Sequence, residues 1–503
     1  MSKQNGGIIG PDNVTTGGFN GVASGVFKLG EVTKLIRESK WPEINPFTNT
    51  VPNSVRLDGG GTYFSRTQTA GNRRTWTQSG WYKFDGNDPG NAQSLVSTNG
   101  TNTGTNFHYT LEKGGSSGSA LDTLSCHGYS GDIFQTIRLL RDYSGWYHIV
   151  LTVDTTQGTS ANRMKLYING ESVALSTQAQ YPAQNFEFGV NNNGIVLGLG
   201  THPGSVSGYQ FSGYMANIEL VDGLAYGPEY FGSTNADSGI WTAIPTSTIS
   251  NYGTNGFKLA FANSGALGTD TSGKGNNFTA NSITSIDQTT DSPSNNFATL
   301  NPLDVNPSSA GDAFSDGSLT LATNSNSNAA GTRSTMAVSK GKWYAEVKYV
   351  SVTAWNGVAA MDVNFLTDSM GAATIAWYQG RTLYVNGSNT AQWGSAVSAG
   401  DIVGIALDMD NFRVTISKGG QWWGGSSFNQ AQPNTYQALT SGYDTWGFMC
   451  RSGSGSATSS WDFGNPPYAI SSGNADSSGF GNFEYAVPTS YLSLCTNNLN
   501  LLG

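Results

Sequence analysis

Hydrophobic and polar positions alternate along most of this chain, most clearly from Ser54 to Asp85. Val55 and Leu57 alternate with polar neighbours, Asp58-Gly59-Gly60-Gly61 forms a turn, and Tyr63-Phe64 resumes an extended run. In the next run Trp76, Gln78, Gly80 and Tyr82 share one face, and Thr77, Ser79, Trp81 and Lys83 the other. Strict alternation bounded by glycines predicts half-buried antiparallel strands. From Gly145 to Asp154, Tyr147, Ile149, Leu151 and Val153 oppose Trp146, His148, Val150 and Thr152. Met164, Leu166 and Ile168 alternate with Lys165 and Tyr167, and the Asn169-Gly170 that follows is the strongest short hairpin signal in the chain. Ile195–Gly200 and Phe211–Tyr226 predict two more strands.

A second series lies further on. Gly341–Val352 alternates around Trp343, Ala345, Val347 and Tyr349, Thr374–Gly387 reads as a hairpin, and Gly400–Gly424 gives two strands joined by an Asp-Asn turn. The pattern changes in three places. Before residue 48, Leu29, Val32, Leu35 and Ile36 recur at helical spacing and Trp41-Pro42 ends the run. This predicts a short amphipathic helix that needs a partner surface, in its own domain, in a neighbouring subunit or elsewhere. Residues 235–305 are rich in Gly, Ser, Asn and Asp and are expected to form a connecting region, linker plus docking strands; residues 471–503 are expected to dock as an apolar tail. The expected organisation is therefore segment 1–47, sandwich 48–234, connector 235–305, sandwich 306–470 and tail 471–503.

Composition supports an all-β chain. At 503 residues it exceeds one core, and 66 glycines beside 13 tryptophans mean many turns with enough aromatic mass to fill sandwiches. A net charge of −9 without a Lys/Arg cluster argues against a nucleic-acid partner. No apolar window reaches the ~18 residues of a membrane span, so no membrane insertion is expected. The start MSKQNGGIIGPDN lacks the apolar core of a secretion signal, and Cys126, Cys450 and Cys495 are spaced neither as a disulfide framework nor as a zinc site.

Several stretches carry resemblances. The order S-x-R-x-D-G, R-x-W-T-x-S-G-W-x-K, G-W-Y-H-I-V, K-L-Y-I-N-G and G-Y-x-x-x-I-E-L-x-D resembles a laminin-G-like, concanavalin A-like jelly roll across residues 48–234. G-K-W-Y-x-E-V, G-D-I-V-G-I-A-L-D-x-D and W-D-F-G-N-P-P-Y look like a SPRY (B30.2) domain, another concanavalin A-like sandwich; Phe412 replaces the glycine usual after Asn411. GIIG-P-x-N followed by ASGV-[aromatic]-x-L, a short helix and Trp-Pro resembles the N-terminal attachment segment of tail-fibre and minor structural proteins of marine bacteriophages, with Phe27 where Trp is usual. That resemblance implies a virion protein held to the particle through Leu29, Val32, Leu35, Ile36 and Trp41, with other phage structural proteins as partners. It also implies a homo-oligomer, a trimer by preference.

Candidate chemistry is sparse. Glucanases of the jelly-roll fold carry E-x-D-x-E on one strand; this sequence has none, and Asp408 and Asp410 read as turn residues. His108, His127, His148 and His202 are scattered, and His148 in mid-strand reads as a satisfied sheet residue. Asp270, Ser272 and Asn276 in D-x-S-G-x-G-N read either as a calcium site, which laminin-G-like domains often hold, or as a plain tight turn. Trp393, Trp422, Trp423 and Tyr443 fall in predicted loops and are the candidate glycan-stacking rings, displayed at a tip or packed beneath a loop. The expectation is a non-enzymatic phage fibre, on tail or head, whose lectin-like sandwiches bind a host glycan or surface protein. A purely structural capsid decoration is the alternative, and a polysaccharide depolymerase a third.

Overall fold

The computed structural model describes residues 7–10, 25–28, 51–86, 92–98, 110–113, 122–128, 131–175, 181–204, 206–235, 238–245, 249–305, 312–323, 331–363, 373–452 and 456–502. The fold is nearly all β; among the described residues the one α-helix is Thr496–Leu502. The predicted helix bearing Leu29, Val32, Leu35, Ile36 and Trp41 lies outside the described residues. Just before it, Gly7–Gly10 pairs antiparallel with Gly25–Lys28.

The first sandwich has an eight-stranded and a seven-stranded sheet. In the larger, Thr75–Phe84 lies between Tyr147–Asp154 and Ser212–Asp222. Its even-numbered Trp76 and Tyr82 enter the core between the sheets with Tyr147, Ile149, Leu151 and Val153, as the alternation requires. These strands were expected to be half-buried, but Thr75–Phe84 is buried on both faces. The reason is the downstream chain: Trp81 packs with Val51, Ala216, Ala243 and Trp241, while Val150 and Val221 pack with Phe231, Ile249 and Tyr252. The hairpin after Ile168 turns through Asn169 at φ 51° and Gly170 at φ 79°, the paired positive angles of a type I′ turn.

Residues 235–305 do more than connect. Phe257–Leu259 pairs with Ser212–Asp222, Gln288–Thr289 with Ser54–Asp58, and Thr279–Asn281 with Tyr63–Thr67 in the opposite sheet. The first sandwich thus includes strands as late as residue 289. Docking strands were expected here; which strands they join could not be read from pieces two or three residues long.

The second sandwich pairs a ten-stranded sheet with a six-stranded one. Lys342–Tyr349 is central, between Ile402–Asp408 and Ala457–Asp462. Trp343, Ala345, Val347 and Tyr349 face the core with Trp377, Trp446 and Trp461. The opposite face, with Tyr344, Ala406 and Trp422, is covered by Phe483 and Tyr491 of the tail. Leu492–Ser493 then adds in parallel beside Trp343 and Tyr344. Asp476 Oδ2 fixes the tail by accepting from Ser493 N and Oγ and from Asn498 Nδ2 at 2.7–2.8 Å.

The sandwiches meet through polar groups that burial makes costly to separate. Lys83 Nζ holds the stretch that leads from one to the other, donating to Asp291 Oδ2 at 2.8 Å, Asn296 Oδ1 at 2.7 Å and the Phe297 carbonyl at 3.0 Å. Arg56 Nη2 donates to the carbonyls of Ile286 and Pro466, Thr289 Oγ1 to Asn465 Oδ1, and Tyr214 OH to the Gly317 carbonyl.

Candidate functional site

The four aromatic residues expected as glycan platforms sit differently from that expectation. Gly419 and Gly420, both at positive φ, close a tight turn, and Gln421–Trp423 pairs back on Arg413–Lys418 as a strand. Neighbouring residues on a strand point to opposite faces, so the two tryptophans separate. Trp422, 2% exposed, goes under the tail beside Tyr344, and Trp423, 5% exposed, goes into the core. Trp423 stacks on Trp393 at 5.4 Å and 12°, and Trp393 in turn meets Trp377 at 5.3 Å. Tyr443 packs half-buried on the same core. For Trp422 and Trp423 the cause is twofold: the Gly-rich stretch is a hairpin that turns one ring into the core, and the tail covers the other. One edge of Trp423 does reach an open groove, beside Phe428, with Gln392, Ser395, Ser426 and Ser427 on its rim.

Asp270, Ser272 and Asn276 come together, but as a turn. Asp270 Oδ1 accepts from Lys258 N at 2.9 Å and Ser272 N at 2.8 Å; Oδ2 accepts from Ser272 Oγ at 2.9 Å and Asn276 N at 2.8 Å. The Asn276 side-chain oxygen accepts from Arg66 Nη1. Calcium needs six to eight oxygens free to face it. Here the carboxylate oxygens face N–H and O–H donors, and a guanidinium stands at the position a cation would take. The residues do not fit calcium.

Other polar groups resolve into structural roles. Asp408 accepts from Asn411 N and Nδ2 and from Arg413 Nε, and Asp410 accepts from Gly341 N, so both hold the turn as expected. His148 is buried in an aromatic box, stacked on Trp81 at 4.6 Å. Trp241 Nε1 donates to its Nδ1 at 3.0 Å, which makes Nε2 the protonated nitrogen, 2.9 Å from Ser79 Oγ. Burial lowers its pKa to about 3, so it stays neutral. Cys450 and Cys495 are buried, and burial pushes their thiols up to about 12 and about 11.

Two arrangements escaped the sequence reading. Glu346 and Asp462 are register partners on adjacent strands, both 0% exposed. Glu346 accepts from Tyr344 OH at 2.7 Å and from the tail amides of Tyr485 and Glu484, both at 2.9 Å. Burial pushes Glu346 up to about 7, and burial followed by the charge of Glu346 holds Asp462 well above the usual carboxylate range. The second is an aromatic patch of Trp355, Tyr378 and Tyr384 on the outside of the six-stranded sheet. Its signal was present in A-W-N-G-V-A-A, where the face opposite Val358 carries Trp355, Gly357 and Ala359.

Comparison with known proteins identifies part of this architecture. Residues 58–224 match the family described as the concanavalin A-like lectin/glucanases superfamily, so the first sandwich is a concanavalin A-like domain. No curated protein matches the chain. Solved structures similar to parts of the chain include the SPRY domain of human HERC1, at 14% identity over 28% of this chain and 87% of that one, with a TM-score of 0.23. A Bacteroides ovatus protein described as carbohydrate-binding matches at 14% identity, covering 46% of this chain and 57% of its own, with a TM-score of 0.31. A heptameric pentraxin of Limulus polyphemus matches at 15% identity over 36% and 79%, with a TM-score of 0.27. Likenesses at these scores carry no functional information.

Proposed function

We propose that this chain is a non-enzymatic recognition protein of a phage particle, a tail or head fibre that presents two lectin-like sandwiches to a host cell surface. The observation that carries the reading is the junction. Arg56 Nη2 donates to the Pro466 carbonyl, Thr289 Oγ1 to Asn465 Oδ1 and Tyr214 OH to the Gly317 carbonyl, so recognition surfaces on the two sandwiches are held in a fixed relation. A fixed pair suits a protein that works by many simultaneous weak contacts, where avidity rises by ~10²–10⁴ over one site. The attachment-segment resemblance of residues 1–47 supports a particle as the setting and other phage structural proteins as its partners. A trimer held at that segment fits the same reading.

Purified protein added before infection tests it. It should occupy host receptors and reduce adsorption of the phage that carries it. If saturating protein binds no host cells and leaves adsorption unchanged, the reading fails and a structural decoration of the capsid takes its place. Release of reducing sugar from host polysaccharide would instead make the protein a depolymerase.

A further inference from the structure

The outer face of the six-stranded sheet carries side chains that neither the core nor the tail uses. Residues opposite each other in antiparallel pairs point to the same face, so register fixes which ones share a row. Arg451, Trp355, Tyr378, Thr382 and Gln392 form one row across five strands. Met449, Gly357, Ala376, Tyr384 and Asn389 form the next. Trp355 and Tyr384 stack at 4.9 Å and 30°, and Tyr378 stands edge-on to Trp355 at 6.0 Å and 90°.

All three rings are half-buried, resting on a floor in which Ala359, Ala376 and Met449 are fully covered. The Trp355 indole N–H has no acceptor. The Trp355 ring reaches the surface, while its Nε1 lies on the covered side. A sheltered indole N–H usually has a partner. At the end of the rows, Ser388–Gln392 exposes Asn389 and Gln392 and carries no charge. Arg451, the charged member of the rows, is 1% exposed.

We propose that this face binds a neutral oligosaccharide, its pyranose rings stacked on Trp355 and Tyr384. Its hydroxyls bond Asn389 and Gln392. The assignment rests on the recognition reading above and adds the ligand class and the place. Pyranose C–H faces are apolar and slightly positive and suit the negative face of an aromatic ring. Hydroxyls both donate and accept, as amide side chains do, and an uncharged surface offers nothing to a charged ligand. The strand of Trp355 lies three strand spacings from that of Gln392, or ~14 Å at ~4.8 Å each. That length fits a short oligosaccharide better than a single ring.

Calorimetric titration of the full chain with neutral cello-, laminari-, manno- and xylo-oligosaccharides tests the site. At least one series should bind, and Trp355→Ala should weaken it about tenfold or more. Asn389→Ala and Gln392→Ala alter exposed side chains and should weaken binding several-fold at unchanged melting temperature, which covers the case of a misfolded Trp355 variant. The proposal is overturned if no series binds, or if all three variants bind as wild type does. It is also overturned if an extended peptide binds this edge and survives Trp355→Ala, since strand addition would then be the use of the face. Variants that lose sugar but still block adsorption overturn this site as the receptor contact and leave the recognition reading standing. Wild-type protein that binds sugar but never competes with adsorption overturns that reading instead.

Discussion

Replacing Asp462 with asparagine should stabilise the protein at neutral and alkaline pH. Asp462 and Glu346 are register partners with no exposure, and Cβ atoms of such partners lie ~4.5–5.5 Å apart. Glu346 has three donors, whereas Asp462 accepts from Gly464 N at Oδ1 and its Oδ2 has none. Burial raises both acids, while Arg56 pulls Asp462 the other way without cancelling the rise. The folded state therefore keeps protons that the unfolded chain releases in the ordinary carboxylate range. Because it binds more protons than the unfolded state, the Glu346 contribution to stability falls as pH rises from the ordinary glutamate value of 4.5 through about 7, and Asp462 adds a fall in the same direction. For Glu346 alone that rise corresponds to about 3 kcal/mol. Asparagine keeps the acceptor at Oδ1 and places an amide N–H2 where Oδ2 has no donor. It should recover roughly 1–3 kcal/mol at pH ~8, or several degrees of melting temperature, and almost nothing at pH ~4, where both acids are protonated. Urea melts of wild type and variant across that range measure the difference. A variant no more stable than wild type at pH ~8, or a difference independent of pH, would refute the reasoning.

Three further expectations follow from the fold. Lys83→Met alone should cost roughly 3–5 kcal/mol by leaving buried Asp291 without its ion pair, and Lys83→Met with Asp291→Asn should cost less than either change alone; additive costs in urea melts would count against a coupled clamp. Phe412 holds φ 48° at 43% exposure, so Phe412→Gly should exceed Phe412→Ala in stability by about 1 kcal/mol, the reverse of an ordinary exposed site. Asp270→Ala should lower the melting temperature by orphaning four donors, and added calcium should shift neither protein; a calcium-dependent rise in wild type alone would restore the ion site.

What could be read from the sequence divides along a physical line. Long strands announce themselves, because alternation over eight or more residues has few other causes; Thr75–Phe84, Tyr147–Asp154 and Lys342–Tyr349 were all visible with their faces correctly assigned. Asn169-Gly170 announced its turn for the same reason of local chemistry. Pairings that depend on distant chain were hidden. Nothing local tells that Gln288–Thr289 completes a sheet begun at Ser54, or that Phe483 covers Tyr344. The candidate rings show the same limit: display and burial of Trp422 stood equally open because the segment that buries it lies some 60 residues away. Trp355 was not singled out, because periodicity says which residues share a face but not which face is inside.

The tail that closes the ten-stranded sheet also sets an order of events during synthesis. Leu492 pairs with Trp343, about 150 residues earlier. At ~5–20 residues per second, the strand leaves the ribosome ~10–30 s before its cover does. Once Trp422 has been made, Tyr344, Ala406 and Trp422 form a sticky surface that stays uncovered until Phe483 and Tyr491 follow, and in a homo-oligomer several nascent copies would expose it close together. The arrival of residues 483–493 thus decides whether this sheet closes on its own chain or clumps with its neighbours, and chaperone demand should concentrate before it.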